Sequence, residues 1–388
     1  MSTPRNRSSE LFTEYTESGE QANYKRLEKL IINRLKKLYG GSDRAYRDTH
    51  AKSHAAVKAH IEIFDFDESS IKEKLLDIGM PASKIEKISV KQGLFSRAGR
   101  YPVWLRFANG NGSRNPDKAP DTRSMSVKII GVEGDRLLES YETNNQDIIT
   151  QNCDIFFIKS IAHYFTFLKA IFKSKLLLVI WLLFHPGEAL ALRRITKFSP
   201  KSLLTERYWS GSAYALGKRS QQQTCPDAES VSYPAVVKYA FTPVSAESPH
   251  EELPRTSRTE SGKNLVPDYY RQELIEQLAR PGARFCWNLG IQFQLDKDMS
   301  IDDITCSWQE SRSPFFTVGR LTVEQQVIDF EHQFDFCEDL TFSPWNGLSV
   351  HRPVGALNRL RRFVYPLVAS YRHDKDGKQY VEPTNLDM

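Results

Sequence analysis

The sequence predicts an α+β fold in which short antiparallel strands form a barrel or sandwich with flanking helices. Three observations predict it. Strand-length runs recur with Gly, Asn and Pro turns between them, and helical repeats sit near both ends. Neither an internal repeat nor a domain-sized linker breaks the chain. A chain of 388 residues fits two or three domains at roughly 150 residues each, or one large barrel domain.

Residues 1–20 are polar and read as a disordered tail. Over 21–39, Tyr24, Leu27, Leu30, Ile31, Arg34, Leu35 and Leu38 fall at three- and four-residue steps. That spacing predicts an amphipathic helix, stopped by Gly40 and Gly41. The expected division is a polar tail and helical arm over 1–44 and a single domain over 45–388. AVKAHIEIFDF at 56–66 reads as a strand, and 69–90 hold a short helical piece and then Pro81. Further strands are expected at 101–109, 124–131 and 154–158, the first two joined by the polar loop NGNGSRNPDKAPDTR. A helical stretch follows over 161–197, then strands at 232–243, 283–294 and 315–330. Residues 244–262, charged and rich in Pro and Ser, read as a surface loop. Over 353–372, Val354, Leu357, Leu360, Val364, Leu367 and Val368 share one side of a helix.

Composition excludes several classes. With 40% apolar, 11% aromatic and 26% charged residues, the chain is neither collagen-like nor wholly disordered. A formal charge of +5 is too small to argue for nucleic acid. Five cysteines, with no CxxC pair, fit a reducing, cytoplasmic setting rather than a disulfide framework or structural zinc. The first residues lack the apolar core of a secretory signal. Leu176–Phe184, LLLVIWLLF, carries no charge but falls short of the roughly 20 residues needed to cross a bilayer. Lys169, Lys173 and Lys175 precede it, and Arg193, Arg194 and Lys197 follow. Two readings stand: a buried core helix, or a segment within 165–184 lying in a membrane interface. The second expects partial exposure, with Leu178 and Trp181 in the bilayer.

The chain has no GxGxxG, GxxxxGK[ST], HExxH or GxSxG. NGNG at 109–112 joins a strand to a loop, which argues against phosphate cradling. His50 and His54 are four apart, as two metal ligands on a helix would be, though surface His pairs share that spacing. In RRFVYP, Arg361 stands one helical turn before Tyr365. A nearby cation favours phenolate, and a phenolate is a known axial ligand of ferric haem.

Six segments occur in the order of the catalase haem domain: RDTHAK (47–52), PVWLRFA (102–108), DTRSMSVK (121–128), QNCDIFFIK (151–159), FSPWN (342–346) and RRFVYP (361–366). They resemble that family's R-x-x-H-A-K, P-V-x-x-R-F-S, D-P-R-G-F-x-x-K, N-N-T-P-x-F-F-I-R, F-x-P-x-N and R-x-F-x-Y-P. VGRLT (318–322) resembles the strand before F-x-P-x-N. The likeness runs from about Tyr46 to Arg372. It implies a catalase-like antiparallel β-barrel with haem b, its iron ferric, buried between barrel and helices. NADPH and a C-terminal flavodoxin-like extension are not expected.

Position by position, the resemblance implies His50 as distal His, Asn152 as distal Asn, and Tyr365 as the iron ligand with Arg361 as its partner. Arg47, Arg106 and Arg372 match arginines that hold haem propionates, and Tyr164 falls where the family has a Phe near haem. The implied chemistry is hydroperoxide cleavage, with His50 moving the proton, Asn152 positioning the peroxide and Tyr365 donating electron density to iron.

Departures from the pattern shift the expected substrate. Ala108 stands where a Ser orients the distal His, and Gly110 stands where a Val narrows the approach. Thr49 precedes His50, as in the coral allene oxide synthase branch, where catalases have Val; Val and Thr are also nearly isosteric. The leading expectation is an enzyme acting on organic, above all fatty-acid, hydroperoxides by peroxidase or allene-oxide-synthase-like chemistry. The alternative is a small catalase or peroxidase for hydrogen peroxide. A haem-binding, membrane-associated protein with little catalysis comes last. A hydroperoxide substrate and a homo-oligomer are compatible with this reading; a nucleic-acid partner is not expected.

Overall fold

The computed structural model describes residues 10–17, 19–141, 143–196, 199–225, 228–244 and 266–388. Twelve strands appear: β1 (Thr13–Glu17), β2 (Ser53–Ile63), β3 (Gly99–Asn109), β4 (Arg123–Ile129), β5 (Gln146–Gln151), β6 (Tyr208–Trp209), β7 (Tyr214–Leu216), β8 (Gln221–Cys225), β9 (Ala228–Ser232), β10 (Ala235–Pro243), β11 (Arg284–Phe293) and β12 (Phe315–Glu324). The helices are α1 (Glu20–Tyr39), α2 (Glu68–Asp77), α3 (Ala82–Ile85), α4 (Ile161–Lys173), α5 (Lys175–Phe184), α6 (Pro186–Thr196), α7 (Tyr269–Ala279), α8 (Phe330–Asp339) and α9 (Ala356–Asp376).

Strands β11, β12, β2, β3, β4, β5, β6 and β10 pair in that order, and β10 returns to β11, closing an antiparallel barrel. Closure leaves no unpaired edge. The side-chain period of two fills its interior. Val57, Ile61, Leu105, Phe107, Val127, Leu289 and Leu321 are fully buried there. The outer face of β2–β5 is covered as well. Ala56, Trp104 and Ile149 pack against Cys337, Leu340 and Phe342 from α8 and the segment after it. Cross-strand register aligns Ala56, Arg106, Ser126 and Ile149 in one row on that face. The functional site grows from this row.

A helical layer lies beside it. Tyr24, Leu27, Ile31 and Leu35 of α1 pack with Phe167 and Leu168 of α4, Trp181 of α5, and Leu360, Val364 and Val368 of α9. The helical arm is therefore part of the site's enclosure.

Several expectations are corrected. Residues 13–17 of the presumed tail form β1, paired with β9. Buried Phe12 donates its N–H to Gln294 Oε1 at 2.7 Å and anchors the strand. Residues 154–158 are not a strand; pairing with β4 ends at Gln151. The stretch 161–197 breaks into three helices, with Ser174 capping α5 through its side chain and Pro186 opening α6. Most of the loop read at 244–262 lies outside the described residues. No single described helix is long and apolar enough to cross a membrane; α5 and α6 reach that length together but are bent by 115°. Trp181 is buried, its Nε1 donating to Thr166 Oγ1 at 2.9 Å and its ring stacked on His185. Leu178 is half-buried against the same cluster.

The two ends of the chain meet at one guanidinium. Arg359 on α9 contacts Glu14 at 2.6 Å, Glu20 at 2.7 Å and Asp302 at 3.1 Å. Its Nη2 also donates to the Tyr15 carbonyl at 2.9 Å. Removing one member strands the buried carboxylates. Arg359→Ala should cost roughly 3–5 kcal/mol in urea unfolding, whereas removing an exposed cation such as Arg97 should cost under about 0.5 kcal/mol.

Candidate functional site

The loop after α1 delivers Arg47, Asp48, Thr49 and His50 in succession. His50 adopts φ +55°, a left-handed conformation that non-glycine residues seldom take. It is held from two sides: its N–H donates to the Gly110 carbonyl at 3.1 Å, and its own carbonyl accepts from Arg106 Nη2 at 3.1 Å. Gly112 lets the strands' connecting loop approach, since a Cβ there would sit 2.1 Å from the Asp48 carbonyl oxygen. The NGNG run thus braces the His50 loop. Gly110 does not widen an approach to the site, because a side chain there would meet Thr122 Oγ1 at 2.1 Å.

Helix α9 supplies the facing wall. Tyr365, Val368, Ala369 and Arg372 recur at three- and four-residue steps and so share one side. With the 47–50 loop, the β-row residues Arg106, Ser126 and Ile149, and Thr341 and Phe342, they line one partly open cavity. His50 and Tyr365 therefore line one chamber, as do Arg47, Thr49, Arg106 and Arg372.

Arg47 and Arg106 converge on the Glu338 carboxylate, and Arg372 on the same residue's backbone carbonyl. Arg47 Nη1 lies 3.0 Å from Glu338 Oε2, and Arg106 Nη2 lies 3.5 Å from Oε1. Arg372 donates to the Glu338 carbonyl and Arg47 to that of Leu340, while Ser53 donates to the Glu338 carboxylate. Burial alone would push Glu338 up, but Arg106 and Arg47 outweigh it and hold the carboxyl below its usual range. Arg372 also lies in the field of Asp339 and Asp376, and Asp48 lines the same cavity. Burial, then mutual repulsion, lowers Arg47 well below the ordinary guanidinium value. Nε of Arg106 and of Arg372 is buried without a partner.

His50 is neutral. Burial first, then the field of Arg106, Arg361 and Arg47, pushes it down to about 3. Its Nδ1 is buried and unpartnered, and Ala108 offers no hydroxyl. Asp48, which the sequence reading passed over, is pushed up to about 6 by burial, partly offset by hydrogen bonds from backbone N–H groups and by Arg34 and Arg372. An acidic residue beside the expected propionate arginines was the available signal.

Three expected residues sit elsewhere. Asn152 does not line the chamber. Its Oδ1 accepts from the Arg123 N–H at 2.7 Å and its Nδ2 approaches Glu206 at 3.5 Å. Strand alternation puts Gln151 on the Ile149 face instead, and Gln151 lines a smaller cavity with His50, Phe156, Leu357 and Arg361. Its Nε2 donates to the Ile155 carbonyl at 2.7 Å. Arg361 makes no hydrogen bond to Tyr365. Helical side chains lean toward the N-terminus, and its Nη1 donates to Ser212 Oγ at 3.0 Å and Asn358 Oδ1 at 3.1 Å. Tyr164 lines a third cavity, with Phe156, Ile158, Ile161, Ile304 and Leu357. Its hydroxyl is raised above the usual phenol range by burial, then by Asp48 and Tyr365. His54 stands on a strand, with Nε2 2.8 Å from Asn109 Oδ1, and forms no metal pair with His50.

The donor set fits haem. The chamber pairs an apolar lining of Ile149, Phe342, Val368 and Ala369 with a phenol, an imidazole and the guanidiniums of Arg47, Arg106 and Arg372. The arginines would hold two propionates, and Tyr365 would hold the iron.

No protein-family model and no curated protein matches the sequence. Solved structures do match. A fungal catalase superposes with TM-score 0.59 at 19% identity, over 88% of this chain and 62% of that one. Catalase A from Saccharomyces cerevisiae gives 0.59 and 19%, over 88% and 64%. A bacterial catalase gives 0.58 and 17%, over 91% and 63%. The chain thus has the catalase fold, and it spans less than two thirds of the length of these proteins.

The Asp48 shift has a measurable sign. A carboxyl that titrates higher when folded stabilises the chain below its unfolded value, and that contribution is lost as pH rises through about 6. In urea unfolding of the haem-free chain, Asp48→Asn should gain on the wild type between about pH 4 and 6, by at most roughly 3 kcal/mol, and level off above. A flat difference across that window would contradict the assignment.

Proposed function

We propose that the protein is a haem-dependent hydroperoxidase acting on organic hydroperoxides, above all those of fatty acids. One observation carries the proposal: His50 and Tyr365 line the same chamber as Arg47, Arg106 and Arg372, within a catalase fold. Arg47, Arg106 and Arg372 would hold the propionates and Tyr365 the ferric iron. When bound, haem b supplies the redox chemistry that breaks an O–O bond.

The chain's own residues handle proton and substrate. Neutral His50 accepts the hydroperoxide proton at a ring nitrogen and returns it to the departing oxygen. Thr49 offers a hydroxyl next to His50. Gln151 takes the positioning role expected of an Asn, because its longer side chain stands on the site face. Supporting an acyl substrate, the chamber adjoins the small cavity at His50 and Ile149, and that cavity adjoins the third at Phe156 and Leu357. The middle cavity is partly polar, with Thr150, Gln151, Ser210 and Arg361, and the third is walled mainly by Phe156, Ile158, Ile161, Ile304 and Leu357. The peroxidase and dehydratase outcomes share these steps. The second reading, decomposition of hydrogen peroxide, is favoured by the likeness in fold to catalases.

Turnover of a long-chain fatty-acid hydroperoxide against hydrogen peroxide, on the haem-loaded protein, separates the two. A clear preference for hydrogen peroxide would sink the acyl reading. Tyr365→Phe should lose or greatly weaken haem binding and change the visible spectrum. His50→Ala should keep haem yet slow cleavage by roughly 10²- to 10⁴-fold. Gln151→Ala should cost roughly two- to tenfold, the effect of one neutral hydrogen bond.

A further inference from the structure

Helix α5 carries no charge from Leu176 to Phe184, and only its inner side is covered. Trp181 faces the helical layer, whereas Leu176, Leu183 and Phe184 are 69%, 74% and 79% exposed. Val179 and Ile180 widen the same patch, and Leu190 of α6 extends it. Such a cluster of large exposed side chains marks an interaction surface.

The charges around it state what it meets. Lys169, Lys173, Lys175, Arg193 and Arg194 are all exposed on α4, α5 and α6. The only carboxylate within 161–196 is Glu188, buried and 2.5 Å from His163. Arg194 is paired with Asp154; no described carboxylate pairs with the other four. A second copy docking through the same face would bring like charges together around an apolar centre, which is unfavourable. A surface that is apolar within and anionic at its head groups satisfies both features. The bend of 115° between α5 and α6 suits helices lying along such a surface.

We propose that α5, with Leu190 of α6, docks the protein onto an anionic lipid bilayer, the apolar side chains entering the interface and the cations contacting lipid head groups. The site stands independently of the substrate. It also lies on the layer that includes α9, and so on the haem-chamber side of the barrel.

The test is co-sedimentation of the full chain with phosphatidylcholine vesicles, with and without about a quarter phosphatidylglycerol. The wild type should bind the anionic vesicles, and raised salt should weaken binding. Leu183→Glu with Phe184→Glu should lower affinity at least about tenfold. Both side chains are exposed, so the unfolding temperature should stay unchanged. Lys173→Glu with Lys175→Glu should remove the preference for anionic lipid while leaving the apolar face intact. Failure of the wild type to bind, or undiminished binding by the Leu183–Phe184 variant, would overturn the proposal. So would a dimer, seen by sedimentation without vesicles, that this variant dissociates. The readout is binding, so the result leaves the hydroperoxidase reading to its own test.

Discussion

The convergence of Arg47, Arg106 and Arg372 on Glu338 is the constraint on which the site depends. Those residues belong to the loop after α1, barrel strand β3, helix α9 and helix α8. Glu338, through its carboxylate and its backbone carbonyl, therefore ties four elements together around the cavity. A buried ion cluster of this kind is a weak source of net stability, because desolvation opposes the attraction. Its value is positional.

The same charges act on His50. An imidazole in that field and at that depth stays neutral across the physiological range, which is the form able to accept a proton. Its strained backbone is held by Gly110 and Arg106. Arg106 is thus shared between holding Glu338 and holding the backbone of the residue that would do the proton work. Changing it would disturb both, and the effects would not add.

The barrel was legible because strand period and turn residues are local signals. Strands at 101–109, 124–131, 235–243, 284–293 and 315–324 lie where alternation places them, to within a few residues. The tail's strand was not legible, since β1 depends on pairing with residues more than two hundred positions away and on one buried Phe. Among site residues, those in distinctive motifs, Arg47, His50, Tyr365 and Arg372, do line the chamber. Asn152 illustrates the limit. Two adjacent amide residues, Gln151 and Asn152, compete for one motif position, and only the side-chain alternation of β5 separates them. Arg361 shows a different limit: helical spacing tells which residues share a face, not which way a long side chain leans.

The clasp at Arg359 bears on the order in which the molecule assembles. Glu14 and Arg359 are 345 positions apart, so their meeting incurs nearly the largest loop-closure entropy the chain allows. Contacts of that separation form after local hairpins and helices. The β2 to β5 run pairs successive strands and is able to exist first, whereas β12 joins β2 only across more than 250 positions. Helix α9, which carries Tyr365 six residues beyond the clasp, would then settle among the last elements, so the wall facing His50 is completed late in assembly.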